Sequence, residues 1–280
     1  MNKLLPRLLI FFIGIPLVIG IVCLKTCNHL ALHIVIVAAA LLSTDELYAI
    51  FSKNMTLQPE RFVLAASVLP PFAGLGCAVF NLPYEYINIA LLASFLLILS
   101  FEVFTVRTFE ESIQHVASTF FIVMYSGYLI TFISRLTFHT HSIQFISTFL
   151  FMVFMCDSFA WLFGMLFGKN NRGLVAASPN KSIAGFVGGY TGSILAGIAG
   201  KFIWPEVFTG PILKVIFLGI IIASSGIIGD LAESVLKRSA HCKDSGTLIP
   251  GRGGILDSID SILFSSPVYF IAIKLMFARI

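Results

Sequence analysis

Stretches of about twenty apolar residues, almost free of charge, recur from one end of this 280-residue chain to the other, and no other feature constrains the fold as strongly. A helix needs a run of about that length to cross a hydrocarbon layer ~30 Å thick. In lipid, each backbone N–H and C=O must be satisfied inside the segment. Runs this long are therefore helices, and their lack of two-residue alternation excludes a lipid-facing barrel. The pattern predicts nine spans, near residues 8–24, 31–50, 62–80, 86–106, 116–137, 143–168, 183–204, 211–229 and 255–277. The expected fold class is all-α, a polytopic integral membrane protein with about nine transmembrane helices. Composition agrees, because only 11% of the residues are charged where a soluble domain carries roughly 25%. The 28 phenylalanines pack as well against lipid as in a core.

The first apolar run follows Met1-Asn2-Lys3 and has the outline of a signal peptide. Lys25, Cys27 and His29 come next instead of a small-residue cleavage site, so a retained first helix is expected. The five cysteines form no paired C-x-x-C motif, which supports neither a disulfide framework nor a zinc site. Pro16, Pro70 and Pro71 fall inside spans, where kinks are expected. No internal repeat is visible, so the inverted-repeat signature of many transporters is missing. With the N-terminus placed in the cytoplasm, 12 of the 18 lysines and arginines fall on the inside. The positive-inside rule favours that orientation, and it puts the polar loops 169–182 and 230–254 on one side. The chain reads as an N-terminal set of four to five spans, residues 1–140, and a C-terminal half, residues 141–280. The second half carries the polar loops and is expected to carry the function.

The richest polar stretch follows one of the most apolar. In Gly229-Asp230-Leu231-Ala232-Glu233-Ser234-Val235-Leu236-Lys237-Arg238, continuation of the helix would put Asp230, Glu233, Ser234 and Lys237 on one face. Lys243-Asp244 and Ile249-Pro250-Gly251-Arg252-Gly253-Gly254 come next, then Asp257 and Asp260 at the start of the last span. Two readings fit. Acids suit a helix N-terminus, where the dipole favours negative charge, and basic residues alone could anchor anionic headgroups. Alternatively, carboxylates interleaved with lysines suit a substrate of magnesium and phosphate, with the metal on one or two carboxylates and the basic side chains on phosphate oxygens. The Gly251–Gly254 turn lets backbone amides approach an anion.

A second cluster starts at Asp157, an acid inside an apolar span, which is costly and marks function by default. The plain structural alternative is a hydrogen bond to a neighbouring helix. Downstream come Ser178-Pro179-Asn180-Lys181-Ser182 and the glycines Gly185, Gly188 and Gly189. Close helix packing explains Gly188 and Gly189 equally well.

The run Ser234-Val-Leu-Lys237-Arg238-Ser-Ala-His-Cys-Lys243-Asp244-Ser-Gly-Thr-Leu-Ile-Pro250-Gly251-Arg252-Gly253-Gly254-Ile-Leu-Asp257-Ser258-Ile-Asp260 resembles the signature of the phosphatidate cytidylyltransferase family, S-x-x-K-R-x4-K-D-x-x-x-x-x-[PG]-x-H-G-G-x-x-D-R-x-D. Asp157-Ser158 and Ser178-Pro179-Asn180-Lys181 resemble the family's upstream motifs in the right order. The resemblance covers residues 155–265 by motif and the whole chain by span pattern. Three departures stand out: Arg252 for the usual His, Ser258 for Arg, and Ala184 for an acidic residue.

The resemblance implies an enzyme, a nucleotidyltransferase of phospholipid biosynthesis. A phosphate oxygen of phosphatidic acid attacks the α-phosphorus of CTP, pyrophosphate leaves, and CDP-diacylglycerol forms. It places Asp230, Asp257, Lys243 and Asp244 in catalysis. Lys181, Ser178, Lys237, Arg238, Asp157 and Ser234 would bind substrate. Asp230, Asp257 and Asp260 would hold Mg2+ or another divalent cation. The implied partners are CTP, phosphatidic acid and membrane lipid, with no nucleic acid. Helical bundles of this kind leave room for a homodimer. The expected location is the bacterial cytoplasmic (inner) membrane, with the N-terminus and active-site loops cytoplasmic. Competing readings are another CTP-dependent lipid transferase or kinase, an ion-coupled transporter using Asp157, Asp230 and Asp257, and an inactive scaffold.

Overall fold

The computed structural model describes residues 14–249, 251 and 253–277. The described residues form nine helices and no strand: α1 (Ile15–Cys23), α2 (Leu30–Phe51), α3 (Glu60–Phe80), α4 (Tyr86–Thr105), α5 (Ser112–Leu136), α6 (Ser142–Phe167), α7 (Ile183–Ile203), α8 (Ile212–Ser239) and α9 (Leu256–Met276). Helices α2 to α9 are each long and apolar enough to cross a membrane. The chain is thus a multi-pass, all-α membrane protein, as the apolar runs require. The start of the first expected span, Arg252 and Pro250 lie outside the described residues.

Many large apolar side chains face outward, among them Phe104, Ile113 and Leu275, each at least 80% exposed. In water such a surface would aggregate; in lipid it is the solvent-facing surface.

Contacts divide the chain into two compact units, residues 1–138 with 239–259, and residues 139–238 with 260–280. The first unit therefore includes the polar loop after α8. Its interior is knit by hydroxyls: Thr44 Oγ1 lies 2.7 Å from Ser67 Oγ and 2.8 Å from Ser126 Oγ. Between membrane helices such bonds replace the hydrophobic drive that lipid removes. Residues Val123–Tyr128 of α5 are π-helical. There Gly127 comes so close to the Ser67 carbonyl that a Cβ could not fit. Ala66, Ile98 and Val123 form an apolar knot beside these bonds, with Phe62, Leu91, Val116 and Phe120 packed on it.

The second unit is organised by small residues. Along α7, Gly188, Gly189, Gly192 and Gly200 face the backbone and side chains of α6; a Cβ on Gly188 would stand 2.5 Å from the Phe159 carbonyl oxygen. The glycines bring the helices close enough for wide dispersion contact. Helix α8 repeats the device, with Gly219 against Ile194 of α7 and Gly229 against Phe264 and Asp260 of α9. Ser225 Oγ donates to Ser265 Oγ at 3.1 Å, Ser261 Oγ to the Gly226 carbonyl at 3.2 Å, and Tyr269 Oη to the Phe145 carbonyl at 2.9 Å.

At one boundary the helix outlasts the apolar span. The eighth span was expected to end near residue 229, whereas α8 runs on to Ser239. No proline interrupts the stretch, and Gly229 is used for close packing. Lys237 and Glu233 then pair one turn apart at 2.6 Å, which supports the added turns.

Candidate active site

In the second unit, helix α8 leaves its apolar section at Gly229 and turns Asp230, Glu233, Ser234 and Lys237 along one side. Lys181, the last loop residue but one before α7, forms an ion pair from its Nζ to Asp230 Oδ2. Ser182 makes this geometry by capping α7: its hydroxyl accepts the Gly185 N–H at 3.0 Å. Arg238 Nε reaches the Ala177 carbonyl at 3.4 Å, so the end of α8 and the loop 169–182 lie together. The Asp260 carboxyl is 7% exposed and within electrostatic reach of Asp230, Glu233 and Asp157. The thiol of Cys156 likewise feels Asp157, Lys181 and Asp230. Asp157 of α6, Lys181, and Asp230 and Glu233 of α8 thus lie within electrostatic range of Asp260 of α9 or of Cys156.

Two ion pairs in this cluster differ in access. Lys181 and Asp230 keep 23% and 36% of their side-chain surface exposed, whereas Lys237 and Glu233 keep 11% and 1%. The first pair is open to an incoming anion. The second is shut into the protein, and its charges satisfy one another.

In the first unit, the loop between α8 and α9 folds around two carboxylates. Asp257, in the first turn of α9, accepts three bonds on one oxygen, Oδ2: the Ser245 N–H at 2.8 Å, the Ser245 hydroxyl at 2.9 Å and the Gly254 N–H at 2.8 Å. Ile249 and Gly253 exchange backbone bonds of 2.7 and 3.1 Å, closing a turn in which Gly251 and Gly253 both take positive φ. That backbone is open to glycine at little cost. The second carboxylate is Glu46 of α2. Its Oε1 accepts the Ile255 N–H, and its Oε2 accepts the Leu256 N–H and the Ser245 hydroxyl, all at 2.8 Å. These donors include two of the N–H groups that a helix start leaves without an internal partner.

The residues expected from sequence are shared between the two units. Asp157, Lys181, Asp230 and Asp260 come together in the second unit, with Ser234 and Lys237 on the same helix as Asp230. Ser178 builds the turn before Lys181, its carbonyl accepting the Lys181 N–H at 3.1 Å. Arg238 is exposed beside that loop. Lys243 and Asp244 are exposed in the loop of the first unit. Asp257 organises that loop through Oδ2. Glu46 is a further polar residue of this loop, about 200 residues before it in sequence and not among the expected site residues. The signal available was its position, a carboxylate in an apolar run, which is costly unless partnered.

The cytidylyltransferase family model matches residues 5–276. That match runs over nearly the whole chain. The chain belongs to the cytidylyltransferase family. Among curated relatives, a phosphatidate cytidylyltransferase of Synechocystis is 39% identical over 128 residues, 44% of this chain and 41% of that protein. One of Staphylococcus haemolyticus is 41% identical over 117 residues, 42% of this chain and 44% of that protein. Over these two relatives the match spans less than half of their own length. One of Staphylococcus aureus is 32% identical over 201 residues, 72% of each chain.

The chemistry of the second unit's cluster can be tested against a divalent cation for this cytidylyltransferase family member. Its donors are all carboxylate oxygens, the kind that hard cations such as Mg2+ take. Among the described residues, no three His, Cys, Asp or Glu side chains stand close enough together to form a complete protein cage. A cation there would need water and substrate phosphates for most of its shell.

Proposed function

We propose that this chain transfers the cytidylyl group of CTP to phosphatidate, giving CDP-diacylglycerol and pyrophosphate. The observation that carries this reading is the open Lys181–Asp230 pair, set beside Asp157 and Asp260 at the end of the membrane helices. A lysine that can exchange its partner carboxylate for a phosphate oxygen lies beside acids suited to a cation. The names of the relatives supply the reaction.

In this reading a non-bridging phosphate oxygen of phosphatidate forms a bond to the α-phosphorus of CTP as the bond to the β-phosphate bridging oxygen breaks. The electron pair of that bond leaves with pyrophosphate. The protein has little covalent chemistry to do, and positioning with charge neutralisation carries the rate. Lys181 moves from Asp230 to a substrate phosphate, and exposed Arg238 neutralises a second one. Asp230 and Asp260 would hold a divalent cation, which would supply positive charge against the reacting phosphates. Asp157 orients the groups around them. The shut pair of Lys237 and Glu233 holds the end of α8 rigid. Lys243 and Asp244, exposed in the loop of the first unit, are further candidates for contact with the phosphates of CTP. The reaction takes place at the cytoplasmic face of a bacterial inner membrane, as the distribution of basic residues supports.

The test is incubation of purified protein with radiolabelled CTP and phosphatidate, followed by separation of the lipids. Labelled CDP-diacylglycerol that disappears with chelator and with Asp230→Asn is the expected result. Near wild-type turnover in folded Asp230→Asn would remove that carboxylate from the mechanism. Offering a polyprenol or diacylglycerol in parallel separates this reaction from another CTP-dependent transfer or kinase step.

A further inference from the structure

We infer that Glu46 of α2 is the positioning residue for the loop between α8 and α9, and that it fixes Asp257 through Ser245. The sequence marks Glu46 only as a carboxylate in an apolar run and does not show what it meets. The inference deepens the proposed reaction, on which its catalytic consequence rests.

Three observations converge on Glu46. The first is burial: Glu46 is 9% exposed, while its neighbour Asp45 is exposed. A carboxylate shut into a membrane helix is costly unless donors meet it. The second is the identity of those donors. The Ile255 N–H, the Leu256 N–H and the Ser245 hydroxyl all come from the loop and the start of α9. A charged acceptor on such N–H groups makes a short, strong bond, and the positive end of the helix adds to it. The third is the space left for it. A Cβ on Gly246 would stand 2.7 Å from Glu46 Oε1, and one on Gly254 would overlap Oε2 and the Ser245 hydroxyl. The two glycines admit the carboxylate to the centre of the loop.

Ser245 is the link to Asp257. Its hydroxyl lies 2.8 Å from Glu46 Oε2 and 2.9 Å from Asp257 Oδ2. A serine has one hydroxyl proton, so the two carboxylates share it and the position of one depends on the other. Helix α2 therefore sets where the first turn of α9 begins. That fixes the loop bearing Lys243 and Asp244, two residues expected to act in catalysis.

The experiment uses the full chain in lipid nanodiscs, comparing wild type with Glu46→Gln, Glu46→Asp and Ser245→Ala. Three quantities are read: amide exchange of peptides covering residues 243–256, thermal melting, and CTP turnover with phosphatidate resolved into kcat and KM. Glu46→Gln keeps the size of the side chain but puts an amide NH2 against donors. It should speed exchange in that loop alone and lower kcat by about 10- to 100-fold, the usual range for residues that orient a site from behind, with KM for CTP changed far less. Glu46→Asp, which keeps the charge but not the reach, should fall between. Ser245→Ala should lower kcat while the amides of Ile255 and Leu256 stay protected, because their bonds to Glu46 remain. Wild-type exchange and kcat in Glu46→Gln would overturn the inference. If Glu46→Gln does not fold, wild-type kcat in Ser245→Ala overturns the link to Asp257. A loosened loop in Glu46→Gln, with no turnover by wild type on any CTP–lipid pair, would overturn the proposed reaction and leave the anchoring in place.

Discussion

At the scale of the residue, the two ion pairs of the second unit predict opposite kinds of mutant. Lys181 and Asp230 are both partly exposed, and a pair so placed contributes only about 0–1 kcal/mol to stability. Lys181→Ala is expected to leave the melting temperature nearly unchanged. It should cost turnover about 100- to 1,000-fold, the usual loss when one charge-stabilising group is removed; parallel melting and CTP assays check this. Lys237 and Glu233 are nearly sealed from solvent. Removing one partner strands a buried charge, and Lys237→Met should destabilise by about 3–5 kcal/mol. The double variant Lys237→Met with Glu233→Leu should recover much of that loss, because a buried pair replaced by apolar side chains is often neutral. Melting of the two variants in detergent decides it. Should Lys237→Met instead melt like wild type and lose CTP binding, Lys237 contacts substrate directly.

At the scale of the element, helix α8 serves two purposes along its length. Its first part packs by glycine and serine against α7 and α9, and its last ten residues carry Asp230, Glu233, Ser234 and Lys237. Each residue added to a helix rotates the rest of it by about 100°. One alanine inserted after Gly229 should rotate Asp230 away from Lys181 and abolish turnover, while the protein still inserts in the membrane. Membrane fractionation with the CTP assay tests this, and retained activity would show that the register of α8 does not matter. Helix α7 makes the complementary prediction. Its Gly192 presses on the Met155 carbonyl, so Gly192→Leu must push α6 and α7 apart. Overpacking of this kind costs about 1–3 kcal/mol or more, visible as a lower melting temperature and faster proteolysis. Asp157 and Lys181 sit on or next to these two helices, so turnover should fall with it.

At the scale of the whole molecule, the distribution of lysine and arginine predicts a cytoplasmic N-terminus and cytoplasmic polar loops. With native cysteines replaced, a single cysteine at position 243 should resist a membrane-impermeant maleimide in intact cells and react in inverted vesicles. A cysteine at position 206, in the turn between α7 and α8, should do the reverse. The opposite pattern would put the α8–α9 loop on the side away from the CTP of the proposed reaction.

Apolar run length alone determined the class of this protein, because a lipid environment permits one solution for a twenty-residue uncharged segment. The spacing of Lys237, Arg238, Lys243, Asp244, Asp257 and Asp260 was legible for a similar reason, since neighbours along a chain keep their order whatever the fold. The last turns of α8 were legible only as a conditional continuation of the span, because hydropathy reports where lipid stops and not where the helix stops. What only tertiary structure decided is which partners each charge takes. Lys181 meets Asp230, Lys237 is shut against Glu233, and Glu46 caps a helix that begins about 200 residues after it. Such pairings depend on the packing of glycine faces and on which buried carboxylate finds enough donors, and no local pattern in the chain records that choice.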